Sequence, residues 1–335
     1  MLEFFNKETN TLTIPFNFNS LLKDLPPETE IIIFKENSVK KKFSQFNQIV
    51  DNLPNNLTYL KLRWKFNQTI DNLPNNLTYL HLGCCFNQTV DNLPSKLIHL
   101  TLGHKFNQKV NNLPSTLIHL DLGWKFNQLV DNLPNTLTHL TFGMNFNQSV
   151  DNLPNTITHL QFRKKFNQSA DNLPNSLIHL TFGKKFNQKV DNLPNSLIDL
   201  TFAQEFNQKV DNLPNSLTHL AFGKKFNQTV DNLPNSLTHL IFGKEFNQIV
   251  NNLPNNIELA FDSASQIKNN IPENIENIKI IFFWWDDEYN YPIENIPYHI
   301  KQIKINFEDK FSFLKKIPFG CKVVIEKDIK FYYVR

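Results

Sequence analysis

The tripeptide Phe-Asn-Gln occurs eleven times at intervals of twenty residues, from Phe46-Asn47-Gln48 to Phe246-Asn247-Gln248. A Leu-Pro pair keeps the same interval from Leu53-Pro54 to Leu253-Pro254. A fixed period of this length is the signature of a solenoid: one repeat forms one coil and cannot bury its apolar residues until neighbours stack on it. Twenty residues cannot hold a strand, two corners and a long helix, and the proline would interrupt such a helix. In the unit that begins at Phe206 the apolar positions are Phe206, Val210, Leu213, Leu217, Leu220 and Phe222. Leu220 and Phe222 flank a single spacer, which predicts a short strand with both side chains on one face. The expected fold is mostly β, with about fifteen stacked coils, a twenty-residue period and no long helices.

Stacking places like residues over like. The Phe, Val and Leu columns then form the core, and strands of successive coils pair about 4.8 Å apart. The Asn after each Phe is expected to bond backbone groups of the adjacent coil, since buried backbone groups need partners. Nine of the eleven residues from position 51 to 251 in one column are Asp, three places before each Pro, where an Asx-turn is expected; Asn111 and Asn251 fill the other two places. The glycine column, which includes Gly83, Gly103 and Gly123, predicts either positive φ or a close backbone approach. Arg63, Arg163 and Ala203 interrupt it, so positive φ is not obligatory. Residues 1–45 read as degenerate coils with a Leu25-Pro26 pair and a basic insertion at Lys40, Lys41 and Lys42. Residues 46–260 are the regular repeats, and residues 261–335 form a C-terminal cap marked by Ile271-Pro272, Ile296-Pro297 and Ile317-Pro318.

The unit Phe-Asn-Gln…Leu-Pro-Asn-Ser-Leu-Thr-His-Leu-Thr-Phe-Gly resembles the FNIP repeat, a family found in social amoebae and in giant viruses that infect amoebae. The resemblance covers residues 46 to about 260. It implies a leucine-rich-repeat-like solenoid that serves as a protein-binding scaffold. In many members an F-box precedes the repeats, so it also implies an alternative: the substrate-binding subunit of a ubiquitin ligase, with ligase components as partners. Residues 1–45 here read as coils rather than as an F-box.

Composition narrows the classes. Net charge is +3 with mixed signs, so no strong field for nucleic acid is implied, and binding through Lys164, Lys184, Lys224 and the run Lys40 to Lys42 is the weaker alternative. No apolar run approaches a membrane span, and the N-terminus lacks a signal peptide's basic and apolar regions. Three cysteines, two of them the adjacent Cys84 and Cys85, do not make a disulfide framework. These features together predict a cytoplasmic chain.

Seven of the ten histidines share one column: His99, His119, His139, His159, His179, His219 and His239. Each precedes a core Leu and so faces outward. A straight row is not the closed ligand set that zinc needs, and the Asp column lacks the glycines of calcium-binding β-rolls. Neither column is assigned a metal, and no cofactor is expected. No phosphate loop, nucleophile elbow or metalloprotease helix occurs, so the chain is read as non-enzymatic. Departures from the repeat carry more information. Tyr59 and Tyr79 replace His in the outward column, and Trp64 and Trp124 stand in the turn column that follows the strand. Exposed aromatic residues are enriched at interaction hot spots. The expected partner-binding surface is therefore Tyr59, Trp64, Tyr79, His99, His119, Trp124 and His139, with a protein as partner. The Phe282-Phe283-Trp284-Trp285 run before Asp286-Asp287-Glu288 is read as a plug that closes the core.

Overall fold

A computed structural model describes residues 2–36, 43–250, 252–254, 257–262, 271–281, 296–306 and 314–326. Lys40 to Lys42, Asn251 and the Phe282–Glu288 segment lie outside the described residues. The chain divides into two compact units, Met1–Phe166 and Asn167–Arg335. Among the described residues there is no α-helix, and one 3₁₀ turn, Leu2–Phe4, precedes the first strand. Among the described residues no helix is long and apolar enough to cross a membrane.

In the first unit, β1 (Phe5–Asn6) folds back antiparallel on β2 (Thr11–Ile14). From β2 onward all pairing is parallel, through β3 (Ile31–Phe34), β4 (Tyr59–Lys61), β5 (Tyr79–His81), β6 (His99–Thr101), β7 (His119–Asp121), β8 (His139–Thr141) and β9 (His159–Gln161). The second unit continues the pattern with β10 (His179–Thr181), β11 (Asp199–Thr201), β12 (His219–Ala221) and β13 (His239–Phe242). It then runs through β14 (Glu258–Asp262), β15 (Asn277–Ile281), β16 (Gln302–Ile305) and β17 (Lys322–Ile325). The register holds like over like: Leu100 faces Leu120, and Leu200 faces Leu220. The strands β4 to β12 are only three residues long, each with its middle Leu buried. The rest of the coil is turns and extended chain, as a twenty-residue circuit requires.

The core is a set of columns. Phe66, Phe86, Phe106 and Phe126 are fully buried, and their rings repeat every 6.1 Å with nearly parallel planes. The corner asparagines hold the stack as expected: the Asn67 N–H donates to Asn47 Oδ1 at 2.8 Å, and the same bond recurs up both units. Gln adds a second rung that sequence reasoning had left unassigned: Gln68 Nε2 donates to the Asn47 carbonyl at 3.1 Å. Each Pro carbonyl accepts the N–H three residues on, as from Leu57 to Pro54 at 3.1 Å, which closes the next corner. Glycine answers a close approach. A Cβ on Gly103 would lie 1.7 Å from the Gly83 carbonyl oxygen, and among the described glycines only Gly320 has positive φ. The Asp column corrects the Asx-turn expectation. The carboxylates of Asp71, Asp91 and Asp131 accept from Nδ2 of Asn92, Asn112 and Asn152 on the following coil, each at 3.1 Å, rather than from a backbone N–H.

Equivalent rings on the two sides of a coil measure its step. On the strand side the outward rings of His99 and His119 are 4.2 Å apart, against 6.1 Å at the Phe corner. In the second unit the figures are 4.3 Å for His219 and His239, and 6.0 Å for Phe206 and Phe226. Strand pairing sets a step of about 4.8 Å between these values. Within each unit the coils therefore fan, and the strand face is the concave side.

Candidate functional site

The outward strand positions build that concave face. Alternation along a three-residue strand sends the middle Leu inward and the first and third residues outward. In the first unit the first position reads Tyr59, Tyr79, His99, His119, His139, His159. These rings form one stacked column: Tyr59 on Tyr79 at 4.2 Å, His119 on His139 at 4.2 Å, and His139 on His159 at 4.1 Å. Tyr79 meets His99 at 5.8 Å with a tilt of 37°. The hydroxyl of Thr138 shares a hydrogen bond of 2.7 Å with His139 Nδ1 and helps to fix its ring. The third strand position adds Lys61, His81 and Asp121 to the same face, residues that sequence reasoning did not single out. Their divergence from the Thr common at this position was the available signal.

The electrostatics of this face follow from crowding. Burial pushes the His119 imidazole below its ordinary pKa, and the neighbouring His139 and His99 add to the shift. His81 falls further, to about 4, through burial first and then the nearby Lys61 and Arg63 cations. Lys61 is lowered by burial and by Arg63. Tyr59 is raised by burial and by Tyr79. Asp121 is pushed up to about 6 by burial, although the Arg163 guanidinium, 3.8 Å away, pulls the other way. Its side chain keeps 41% of its accessible area, so this desolvation is partial. The neutral forms of His119 and His81 are thus favoured at neutral pH.

Trp64 and Trp124 stand apart from that column. They sit in the turn after the strand, 38% and 43% exposed. Trp64 stacks on Phe43 at 4.2 Å, and Trp124 lies 4.5 Å from His104. Among the described residues neither tryptophan has a ring contact with the Tyr and His column. The seven predicted residues therefore form two strips, five on the concave face and two along its edge turn.

The second unit presents a different face. Asp199 replaces His in the outward column, and its two carboxylate oxygens meet Nδ1 of His179 and Nδ1 of His219, the latter at 3.0 Å. Further along, Glu258 pairs with Lys279 at 3.3 Å and Lys304 at 3.4 Å, while Glu326 takes Lys279 at 2.9 Å. Burial raises the Glu258 carboxyl, but the Lys279 and Lys304 ammonium groups outweigh it and hold the pKa low. Among the described residues no three His, Cys, Asp or Glu side chains converge as metal ligands would.

Comparison with known proteins matches this geometry. The model of the FNIP repeat fits successive overlapping stretches, from residues 46–85 and 86–125 to 206–244 and 226–259. The fold is similar to the crystal structure of CroV588, a giant-virus protein reported as a novel circular LRR protein, with a TM-score of 0.74 and 40% identity. That match covers 94% of this chain and 49% of CroV588, so this chain spans about half the length of that protein. The functional domain of InlJ from Listeria monocytogenes, which includes a cysteine ladder, is similar in fold, with a TM-score of 0.50 and 13% identity over 86% of this chain and 67% of that one. No curated protein sequence shows significant similarity to the chain.

Proposed function

The chain belongs to the FNIP repeat family, and from that membership and its leucine-rich-repeat-like solenoid we propose that it is a non-enzymatic scaffold that binds another protein on the concave face of the first unit. The observation that carries this reading is the stacked column of Tyr59, Tyr79, His99, His119 and His139. The inward columns already fill the core, so folding does not need these rings. Tyr and neutral His offer flat apolar area with a hydrogen-bonding tip, the kind of surface found at interaction hot spots. Trp64 and Trp124 extend the apolar area along the edge turn. Asp and His recur in uniform columns rather than in a local constellation, which favours recognition over catalysis.

The test is quantitative affinity capture from the cell that makes the protein. The parent chain is compared with a Tyr79→Ala, His119→Ala, His139→Ala variant and with a Thr181→Ala, Thr201→Ala variant of the second unit. Partners should be lost with the first variant and kept with the second. Equal capture by all three chains overturns the assignment of this face.

A further inference from the structure

An open groove of about 880 Å³ crosses the turn side of the first unit. It is lined by the ladder asparagines from Asn47 to Asn107 and by the turn residues Lys65, Cys85, Lys105, Lys125 and Asn145. The hydrogen bonding of the ladder determines what the groove offers. Oδ1 of Asn47, Asn67, Asn87 and Asn107 each accepts the N–H of the next coil's Asn at 2.8–2.9 Å. A backbone N–H can only donate, so the orientation of each amide is settled and its Nδ2 donors remain. Among the described residues no protein acceptor takes those four Nδ2 groups, and no carboxylate stands within salt-bridge distance of Lys65, Lys105 or Lys125. The matching turn positions in the second unit are Lys185, Glu205, Lys225 and Glu245; there Glu205 bonds Lys225 at 2.7 Å and lies 4.0 Å from Lys185. One unit neutralises this column internally. The other leaves it as unmatched donors and positive charge.

We propose that this groove binds an extended acidic segment of a partner polypeptide. The spacing supports an extended chain. Coils here advance 6.1 Å at the adjoining Phe column, and a strand advances about 6.6 Å every two residues. Alternate side chains of the segment then meet successive coils. Acidic residues at i, i+4 and i+6 face Lys65, Lys105 and Lys125, with a small uncharged residue at i+2 over Cys85. The Nδ2 row supplies donors to the segment's carbonyl oxygens. A single nucleic acid strand would bring the same charge, but such strands are held by stacking on aromatic platforms, and this lining contains no aromatic ring. The groove shares no residue with the Tyr and His column, so the failure of either assignment leaves the other standing.

The experiment titrates the full chain with a fluorescent peptide that carries Glu at i, i+4 and i+6 in a Ser and Thr background. Its Gln counterpart and an oligothymidylate of similar charge serve as comparisons. Saturable, salt-sensitive binding of the Glu peptide is expected, with the Gln peptide at least about tenfold weaker. Lys105→Glu combined with Lys125→Glu should lower the affinity at least about tenfold, whereas Lys225→Glu should change it less than about twofold. Absence of saturable binding to the parent overturns the proposal, as does binding that is indifferent to the Lys105 and Lys125 reversals. Tighter binding of the oligothymidylate than of the Glu peptide assigns the groove to nucleic acid and also overturns it.

Discussion

The two units share one coil and differ in two columns. Inside, the residue that ends the strand segment is Leu at positions 62, 82, 102 and 122 of the first unit and becomes Phe from Phe142 onward. In the second unit Phe182, Phe202, Phe222 and Phe242 fill it, each 3.6–3.7 Å in centroid distance from the Phe of its own corner. Outside, the first unit stacks tyrosine and histidine rings where the second sets Asp199 between two histidines and pairs Glu258 with Lys279 and Lys304. The inner change alters packing but leaves the coil closed, because both residues are apolar and meet the same neighbours. The outer change alters what the surface can recognise. The fold is thus set by the repeated columns, and specificity lies where the repeat is allowed to vary.

The largest expected effect probes the inner difference. Phe86→Ala and Phe206→Ala each remove a fully buried ring and should each cost about 3–5 kcal/mol. Phe206 also loses its partner Phe202 at 3.7 Å, so its change should cost about 0.5–1.5 kcal/mol more. Urea denaturation of the two variants decides this. Equal losses would mean that the double Phe column adds volume and no further stability.

Acidification probes the outer difference. A base whose folded pKa is depressed leaves stability at its full value above the unfolded pKa near 6.5, and stability falls as the unfolded chain takes up the proton first. For His81, with a folded value of about 4, the loss develops between pH 6.5 and 4 and should reach the order of 2–3 kcal/mol. His119 acts in the same direction. In the second unit the His81 position is Thr181, Thr201, Ala221 or Ile241, none of which titrates. Melting curves at pH 7.5 and 5.5 should therefore show a larger drop for the parent than for a His81→Thr, His119→Thr variant. An Asp199→His change, which gives the second unit the first unit's column, should add to the drop. Identical drops in all three chains would make the ladder electrostatically silent.

A third comparison should give no difference. Asn127→Ala and Asn207→Ala each strand one backbone N–H, that of Asn147 and that of Asn227, now bonded at 2.8 and 2.9 Å. Both corners are partly exposed, and Gln228, which also reaches Asn207 Oδ1 at 3.1 Å, keeps its bond to the Asn207 carbonyl at 3.2 Å, so each variant should lose about 1–2 kcal/mol, the same in both units. A marked inequality would show that the ladder does not act as a uniform clamp. The smallest effect belongs to Asp121. Its raised pKa means that stability is present below the unfolded value near 3.9 and is lost as pH rises through about 6, so Asp121→Asn should stabilise the chain at pH 7.5. The gain should stay under about 1 kcal/mol, because the carboxylate is well exposed and lies near Arg163.

Much of the architecture was legible in the sequence because stacking turns a period into columns. The short strand, the buried Leu220 and Phe222, the outward histidines and the corner asparagines all follow from spacing alone. What was not legible depends on how one coil sits on the next. The glycine column could be narrowed to positive φ or close approach, and only the 1.7 Å contact at Gly103 decides between them. Asp71 does lie in a turn, as its sequence neighbours suggest, yet its carboxylate bonds Asn92, twenty-one residues away, rather than its own turn. The fanning of the coils, the desolvation of His81 and Asp121 and the donor-lined groove are properties of the stacked surface, which no single repeat encodes. The separation of Trp64 and Trp124 from the tyrosine and histidine column likewise depends on the path of the turn.

The recognition claim has a direct positional test. A photo-crosslinking benzoylphenylalanine is placed at Tyr79 or His119 in the first unit, or at Thr201 in the second, and the full chain is irradiated in the cell that makes it. A discrete covalent adduct with a partner protein is expected from positions 79 and 119 and none from position 201. Adducts from position 201 with none from 79 or 119 would contradict recognition by the first unit's strand face.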